Sequence, residues 1–125
     1  MSYKIKNIVI IYGAKALSQD EFLTLREKIM DLLMKTDKPL TVDEIIAYLG
    51  LSPRDHRLVY DALEHIAKTI RRRTDNRMEL VMIPPRCLKC GYVFKDLKKP
   101  RKPSRCPRCK SERISPPAFI IIEKK

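Results

Sequence analysis

Thr41-Val-Asp-Glu-Ile-Ile-Ala-Tyr-Leu-Gly-Leu-Ser-Pro-Arg-Asp55 holds a helix start, a helix stop and a second helix start within 15 residues. The Thr41 hydroxyl can accept from the backbone N–H of Glu44 while the Glu44 carboxylate reaches back, a capping box. Val42, Ile45, Ile46 and Leu49 then fall on one helical face. Gly50 can take the left-handed conformation that closes the helix. Ser52 is placed to cap a second helix, with Pro53 at its first position and Asp55 in its first turn, where a negative charge suits the helix dipole. Val59, Leu63, Ile66, Ala67 and Ile70 continue the apolar stripe, so this helix should run over about residues 53–73. A short helix, a turn of about three residues and a longer helix make the helix-turn-helix pattern.

Working outward, Ser18-Gln-Asp-Glu21 is another capping box, and Phe22, Leu25, Ile29, Leu32 and Leu33 share a face, predicting a helix over about residues 19–35. Residues 4–12 are rich in β-branched side chains and stop at Gly13; they read as a strand whose partner is either residues 120–123 or a second copy of the chain. Ala14-Lys15-Ala16 looks like a signal cleavage site, but the apolar core before it, residues 8–12, is too short and a capped helix follows, so no secretion signal is expected. Toward the other end, Met78–Ile83 and Phe119–Glu123 read as two strands. Pro84-Pro85 closes the first and Pro116-Pro117 precedes the second, and seven of the nine prolines lie in residues 84–117. The methionines Met30, Met34, Met78 and Met82 are expected as core filler, and His65 as a surface or boundary residue.

All four cysteines lie between those proline pairs, as Cys87-Leu-Lys-Cys90 and Cys106-Pro-Arg-Cys109 with 15 residues between them. C-x2-C-x15-C-x2-C is the spacing of a four-thiolate zinc site: two tight knuckles each supply two sulfurs to a tetrahedron. Without a secretion signal, cysteines in a reducing cytoplasm serve metal or redox chemistry rather than a disulfide framework. A redox pair would need a strand–helix context that is absent. A rubredoxin-type iron centre uses similar knuckles, and iron can occupy such a site in vitro, but this insert has only Tyr92 and Phe94 as aromatics and is strongly basic. One structural zinc ion is therefore expected, with no open coordination position for catalysis, and its binding would supply the folding energy of a segment poor in apolar residues. Gly91 follows the first knuckle and Lys110 the second, which predicts a less regular second knuckle.

The chain has 27 Lys and Arg against 15 Asp and Glu, a formal net charge of +12, with a pI near 9.8. The surplus is uneven: residues 1–76 carry 13 basic against 11 acidic side chains, and residues 77–125 carry 14 against 4. An anionic partner follows, with nucleic acid ahead of a membrane surface; no apolar run approaches the ~18 residues of a membrane span. Residues 84–114 hold 11 basic and two acidic side chains, and Lys95, Lys98, Lys99, Arg101, Lys102, Arg105 and Arg108 are candidates for phosphate contact. On the second helix of the pair, Arg54, His56, Arg57 and Tyr60 are the candidates to face DNA. Asp61 and Glu64 share that face and would repel phosphate. Arg71, Arg72 and Arg73 suit the negative end of the helix dipole and are candidates for phosphate as well. No nucleophile–base arrangement and no phosphate-binding glycine loop is present, so no enzymatic activity is expected.

Together these motifs resemble archaeal predicted transcriptional regulators in which a winged helix-turn-helix is fused to a rubredoxin-like zinc ribbon. The resemblance covers about residues 18–125 and rests on Thr41-Val-Asp-Glu44, Gly50-Leu-Ser-Pro53, Cys87-x-x-Cys90-Gly91-Tyr92 and Cys106-Pro-x-Cys109. It implies an α+β fold in which a three-helix core and β-hairpin, residues 18–83 and 118–125, carry the ribbon, residues 84–117, at the tip of the wing; residues 1–17 form an N-terminal extension. The expected function is DNA binding in transcription regulation. An adaptor docking on transcription or translation machinery and an RNA-binding protein are the alternatives. A homodimer would be required for palindromic DNA sites.

Overall fold

The structure, a computed structural model, describes residues 10–12, 15–17 and 19–124. In chain order the elements are strands β1 (Ile10–Tyr12) and β2 (Lys15–Leu17), helix α1 (Gln19–Lys35), strand β3 (Leu40–Thr41), helices α2 (Val42–Leu49) and α3 (His56–Arg73), and strands β4 (Met78–Ile83) and β5 (Ala118–Glu123). The fold is a mixed α+β one, with three helices, a small antiparallel sheet and a four-cysteine ribbon between β4 and β5.

Local signals set the helix ends. Glu44 N–H donates to the Thr41 hydroxyl at 3.2 Å and the Thr41 N–H to the Glu44 carboxylate at 2.8 Å, so the capping box forms in full. Gly50 sits at φ 67° and ends α2, with the N–H of Leu51 donating to the Ile46 carbonyl at 3.0 Å. Ser52 caps as expected, but Pro53–Asp55 form a 3-10 turn and α3 proper starts at His56. Asp55 does more than face the dipole. It is buried, 1% exposed, and its carboxylate accepts the Ser52 N–H at 3.0 Å, so the turn between α2 and α3 is locked from inside. Ser18, the first residue of the predicted box before α1, lies outside the described residues, as do residues 4–9 of the predicted N-terminal strand and the Gly13 that would end it.

The helices and sheet share one core. Ile29 and Leu33 of α1, Ile45 of α2, Leu58, Leu63, Ile66 and Ile70 of α3, and Phe119 of β5 are all sealed from water. The sheet order is β3-β5-β4, all antiparallel, so the last strand is the central one. β4 and β5 pair over six residues, from Met78↔Glu123 to Ile83↔Ala118, while Leu40 lies opposite Phe119. β3, two residues long, carried no recognisable strand signal. β1 pairs with β2, Ile10 opposite Leu17, in a separate two-stranded sheet. The expected pairing of the first strand with residues 120–123 is thereby corrected for Ile10–Tyr12: a hairpin that pairs Tyr12 with Lys15, three positions on, leaves far less chain to order than a pairing across the whole chain. Met30 is buried, and Met78 and Met82 pack against the core, but Met34 is 48% exposed and is no core filler; it falls one residue past the α1 stripe, after Leu33. His65 is exposed, its ring edge-on to Phe22 at 5.8 Å. Among the described residues, no helix is long and apolar enough to cross a membrane.

Two substitutions measure this account. Phe119→Ala empties a fully buried site where β5 meets α3 and should cost about 3–5 kcal/mol in denaturant unfolding of the zinc-loaded protein. Gly50→Ala should cost about 1–2 kcal/mol: nothing lies within 4 Å of an added Cβ, so the loss is the left-handed backbone alone.

Candidate metal centre and basic face

Both knuckles fold in the same way. In the first, the N–H of Gly91 donates to the Cys87 carbonyl at 3.0 Å and the N–H of Cys87 to the Tyr92 carbonyl at 2.8 Å. In the second, Lys110 N–H donates to the Cys106 carbonyl at 2.9 Å and Cys106 N–H to the Ser111 carbonyl at 2.9 Å. The less regular second knuckle expected from Lys110 does not occur. Lys110 adopts φ 66°, the conformation that Gly91 takes at φ 83°, because the paired hydrogen bonds at Cys106 demand a left-handed residue there.

The four sulfurs converge within 4.8 Å of one another. Across the knuckles Cys87 Sγ lies 3.5 Å from Cys109 Sγ, and Cys90 Sγ 3.6 Å from Cys106 Sγ. A disulfide needs about 2.05 Å, whereas a zinc tetrahedron with Zn–S near 2.3 Å has S···S edges of about 3.8 Å. The donor set therefore fits one zinc ion and fills its coordination. Backbone amides support the sulfurs: Cys90 N–H points at Cys87 Sγ, and Arg108 and Cys109 N–H at Cys106 Sγ, at 3.3–3.5 Å. The amide of Cys90 foremost pulls the Cys87 thiol down to about 6. Burial opposes ionisation of Cys106, but the amides of Cys109 and Arg108 outweigh it and shift this thiol down too. Cys90 is pushed up to about 11: the Tyr92 amide favours its thiolate, yet burial and the neighbouring sulfurs prevail. Four thiolates this close need a dication between them.

A satellite core stands beside the sulfurs. Ile114, Cys87 and Cys106 are buried, and Tyr92 and Phe94 pack on them with rings perpendicular at 5.0 Å. Leu88 N–H to the Arg113 carbonyl and Ser115 N–H to the Arg86 carbonyl, both 2.8 Å, tie the two ends of the ribbon together. Only Ile114, Tyr92 and Phe94 join the cysteines in that cluster, so the metal carries the ribbon's folding.

The candidate nucleic-acid residues separate into groups. Arg54 and Arg57 project into solvent at the start of α3. His56 is half-buried, and its ring nitrogens meet the Pro53 carbonyl and the Asp43 carboxylate, so it joins α2 to α3. Tyr60 is half-buried with its ring edge-on to Phe119 at 6.3 Å; burial, then the Asp43 charge, push its hydroxyl up to about 12. Arg73 clamps Glu27 of α1 at 2.6 and 3.2 Å, which holds that carboxyl below its ordinary value, and Arg71 donates to the Ala67 carbonyl at 3.3 Å; Arg72 is exposed. Lys95, Lys98, Lys99, Arg101, Lys102 and Arg108 are exposed, and Arg105 lies 3.7 Å from Glu112.

The stretch from Lys95 to Arg105 does not stand off as a free finger. Leu97 and Pro100, both half-buried, line a small open pocket together with Ala67 of α3 and Leu80, Met82 and Phe119 of the sheet. Beyond them, Lys99, Arg101 and Lys102 form one wall of an open groove of about 540 Å³, and Asp43, His56, Arg57, Tyr60, Asp61 and Glu64 form the other. This shared groove is the feature sequence reading missed; its one trace is Leu97, the single large apolar residue in a basic run.

Comparison with known proteins places the chain. Residues 24–78 match the model described as PF0610-like, N-terminal, and residues 84–125 match the PF0610 rubredoxin-like zinc beta-ribbon domain. The solution NMR structure of protein PF0610 from Pyrococcus furiosus is 33% identical, with a TM-score of 0.62, covering 82% of this chain and 91% of that one. The chain belongs to the PF0610-like family. No curated protein gives a significant match. The family's ribbon model spans the four converging cysteines, so the centre is a structural zinc site of the rubredoxin-like type.

Two measurements follow. The purified protein should hold one zinc ion per chain. Chelation should collapse the amide dispersion of residues 86–115 while leaving the helical circular dichroism largely in place, since the helices have their own core. Lys110→Gly should stabilise the zinc-loaded ribbon by about 0.5–1 kcal/mol, the relief of a left-handed lysine less the extra unfolded-state entropy of glycine.

Proposed function

We propose that this protein binds duplex DNA as a transcription regulator, its helical part acting as a winged helix-turn-helix and its zinc ribbon standing in for the tip of the wing. The observation that carries this reading is the element order α1-β3-α2-α3-β4-ribbon-β5 together with the β3-β5-β4 sheet. In that frame α3 is the recognition helix and β4 and β5 are the wing strands. Arg54 and Arg57 then stand at its N-terminal end, where base contacts are made, and the ribbon brings Lys95, Lys98, Arg101 and Arg108 toward phosphate. Zinc stiffens this grip without taking part in chemistry, and no enzymatic role is assigned. The setting is a reducing cytoplasm.

The competing reading, an adaptor for transcription or translation machinery, draws on Asp61 and Glu64, which place negative charge on α3. Fluorescence anisotropy with duplex DNA separates the two. If four ribbon cations neutralise four phosphates, log K should fall with log salt at a slope near −3.6, about 0.9 per phosphate. Lys98→Ala should reduce that slope by about 0.9 and weaken all sequences alike, while Arg57→Ala should relax sequence preference by about 1–3 kcal/mol. Absent or salt-independent binding would overturn the proposal.

A further inference from the structure

The run Lys95–Arg105, the arm, shares its groove with the face of α3 that the DNA reading assigns to base contact. Across the groove Lys99, Arg101 and Lys102 oppose Asp43, Asp61 and Glu64, with Arg57 standing among the carboxylates on their wall. Among the described residues, no ion pair within 4 Å joins the two walls; Asp43 contacts His56 of its own wall. The attraction is therefore one of facing fields across an open cleft. Held that way, the arm can leave once the half-buried Leu97 and Pro100 and the buried Pro103 are released.

The geometry conflicts with duplex binding. A helix with its side chains is about 10–12 Å across, and the major groove of B-DNA, about 12 Å wide, admits one helix. An arm lying along α3 cannot enter with it. Asp61 and Glu64, moreover, would meet phosphate unless the arm's cations stay beside them, while those same cations are the ones that would grip phosphate.

We propose that the arm is a self-mask: the carboxylates of Asp43, Asp61 and Glu64 hold Lys99, Arg101 and Lys102 in place of nucleic-acid phosphates, and duplex binding proceeds by exchange, the arm leaving α3 for the DNA backbone. This inference rests on the DNA reading of α3. It assigns the acidic residues of a basic protein a task, namely to set the threshold of anionic charge needed to open the site. A short or weakly charged polyanion would leave the arm in place, and a duplex would draw it off.

The test uses the full zinc-loaded chain and the double variant Asp61→Asn, Glu64→Gln, which keeps the size of both side chains. Limited trypsin digestion reports the arm through the bonds after Lys98 and Arg101, neither followed by proline, and backbone 15N relaxation of residues 95–105 gives the same information without cleavage. The expected result is arm cleavage several-fold faster in the variant, with cleavage elsewhere unchanged, and duplex affinity raised about tenfold. An arm equally protected in both proteins would overturn the mask, whatever the duplex affinities. A loosened arm with no gain in affinity would overturn it too, while leaving native, salt-dependent binding intact as support for the DNA reading. Absence of duplex binding by both proteins would overturn the DNA reading and the mask with it.

Discussion

The ladder between β4 and β5 is the constraint on which the outer half of the molecule depends. Six registered pairs place Ile83 directly opposite Ala118, so residues 84–117 must leave and return at one point on the sheet. Because β5 also pairs with β3 and buries Phe119 among the helices, that point is fixed to the core and not merely to a hairpin. A segment this long would gain little order from closure of its ends. Zinc supplies the rest by joining its two knuckles, and the half-buried Leu97 and Pro100 and the buried Pro103 lie in the stretch between them.

How much of this was legible in the sequence follows from how local each signal is. Thr41–Glu44, Gly50 and Ser52-Pro53 act on their immediate neighbours, so the helix ends were readable; the two proline pairs bracketed the ribbon for the same reason. The cysteine spacing carried its own geometry, and the zinc site followed. Other features were not readable because their causes are tertiary. Leu40–Thr41 becomes a strand only because β5 arrives beside it from the far end of the chain. Lys110 is left-handed because its knuckle repeats the hydrogen bonds of the first, against the preference of a lysine. Met34, by contrast, was readable: it is exposed because it falls off the apolar stripe of α1, a position that periodicity shows and residue type alone does not.

Charge shows the same division between what counting reveals and what placement decides. The formal +12 of the chain becomes +10 once four thiolates and one zinc ion are included, four negative charges and two positive ones. That sum describes the field of the molecule at long range. It does not describe the surface a partner meets. Three arm cations and Arg57 share a groove with three carboxylates that offset most of their charge at a distance, whereas Lys95, Lys98, Arg86 and Arg108 are not opposed by that acidic wall. Steering of an anion would be set by these unopposed cations, and the opposed ones would matter only after contact.

On the DNA reading proposed above, the acidic residues of α3 look like an error when the helix is considered alone, since carboxylates facing phosphate would gain it nothing. Beside the arm they have a consistent role. A basic segment of 11 residues with one aspartate would bind any polyanion unless something internal competed for it. Under the proposed mask, a competitor on α3 would make the two surfaces mutually dependent: the arm would reach a phosphate backbone only by uncovering the helix, and the helix would be uncovered only with an acceptor for the arm. Specific and nonspecific contacts would then form together or not at all. The metal makes such coupling workable, because an arm rooted in a rigid ribbon can detach at its middle while both its ends stay fixed at Phe94 and Cys106.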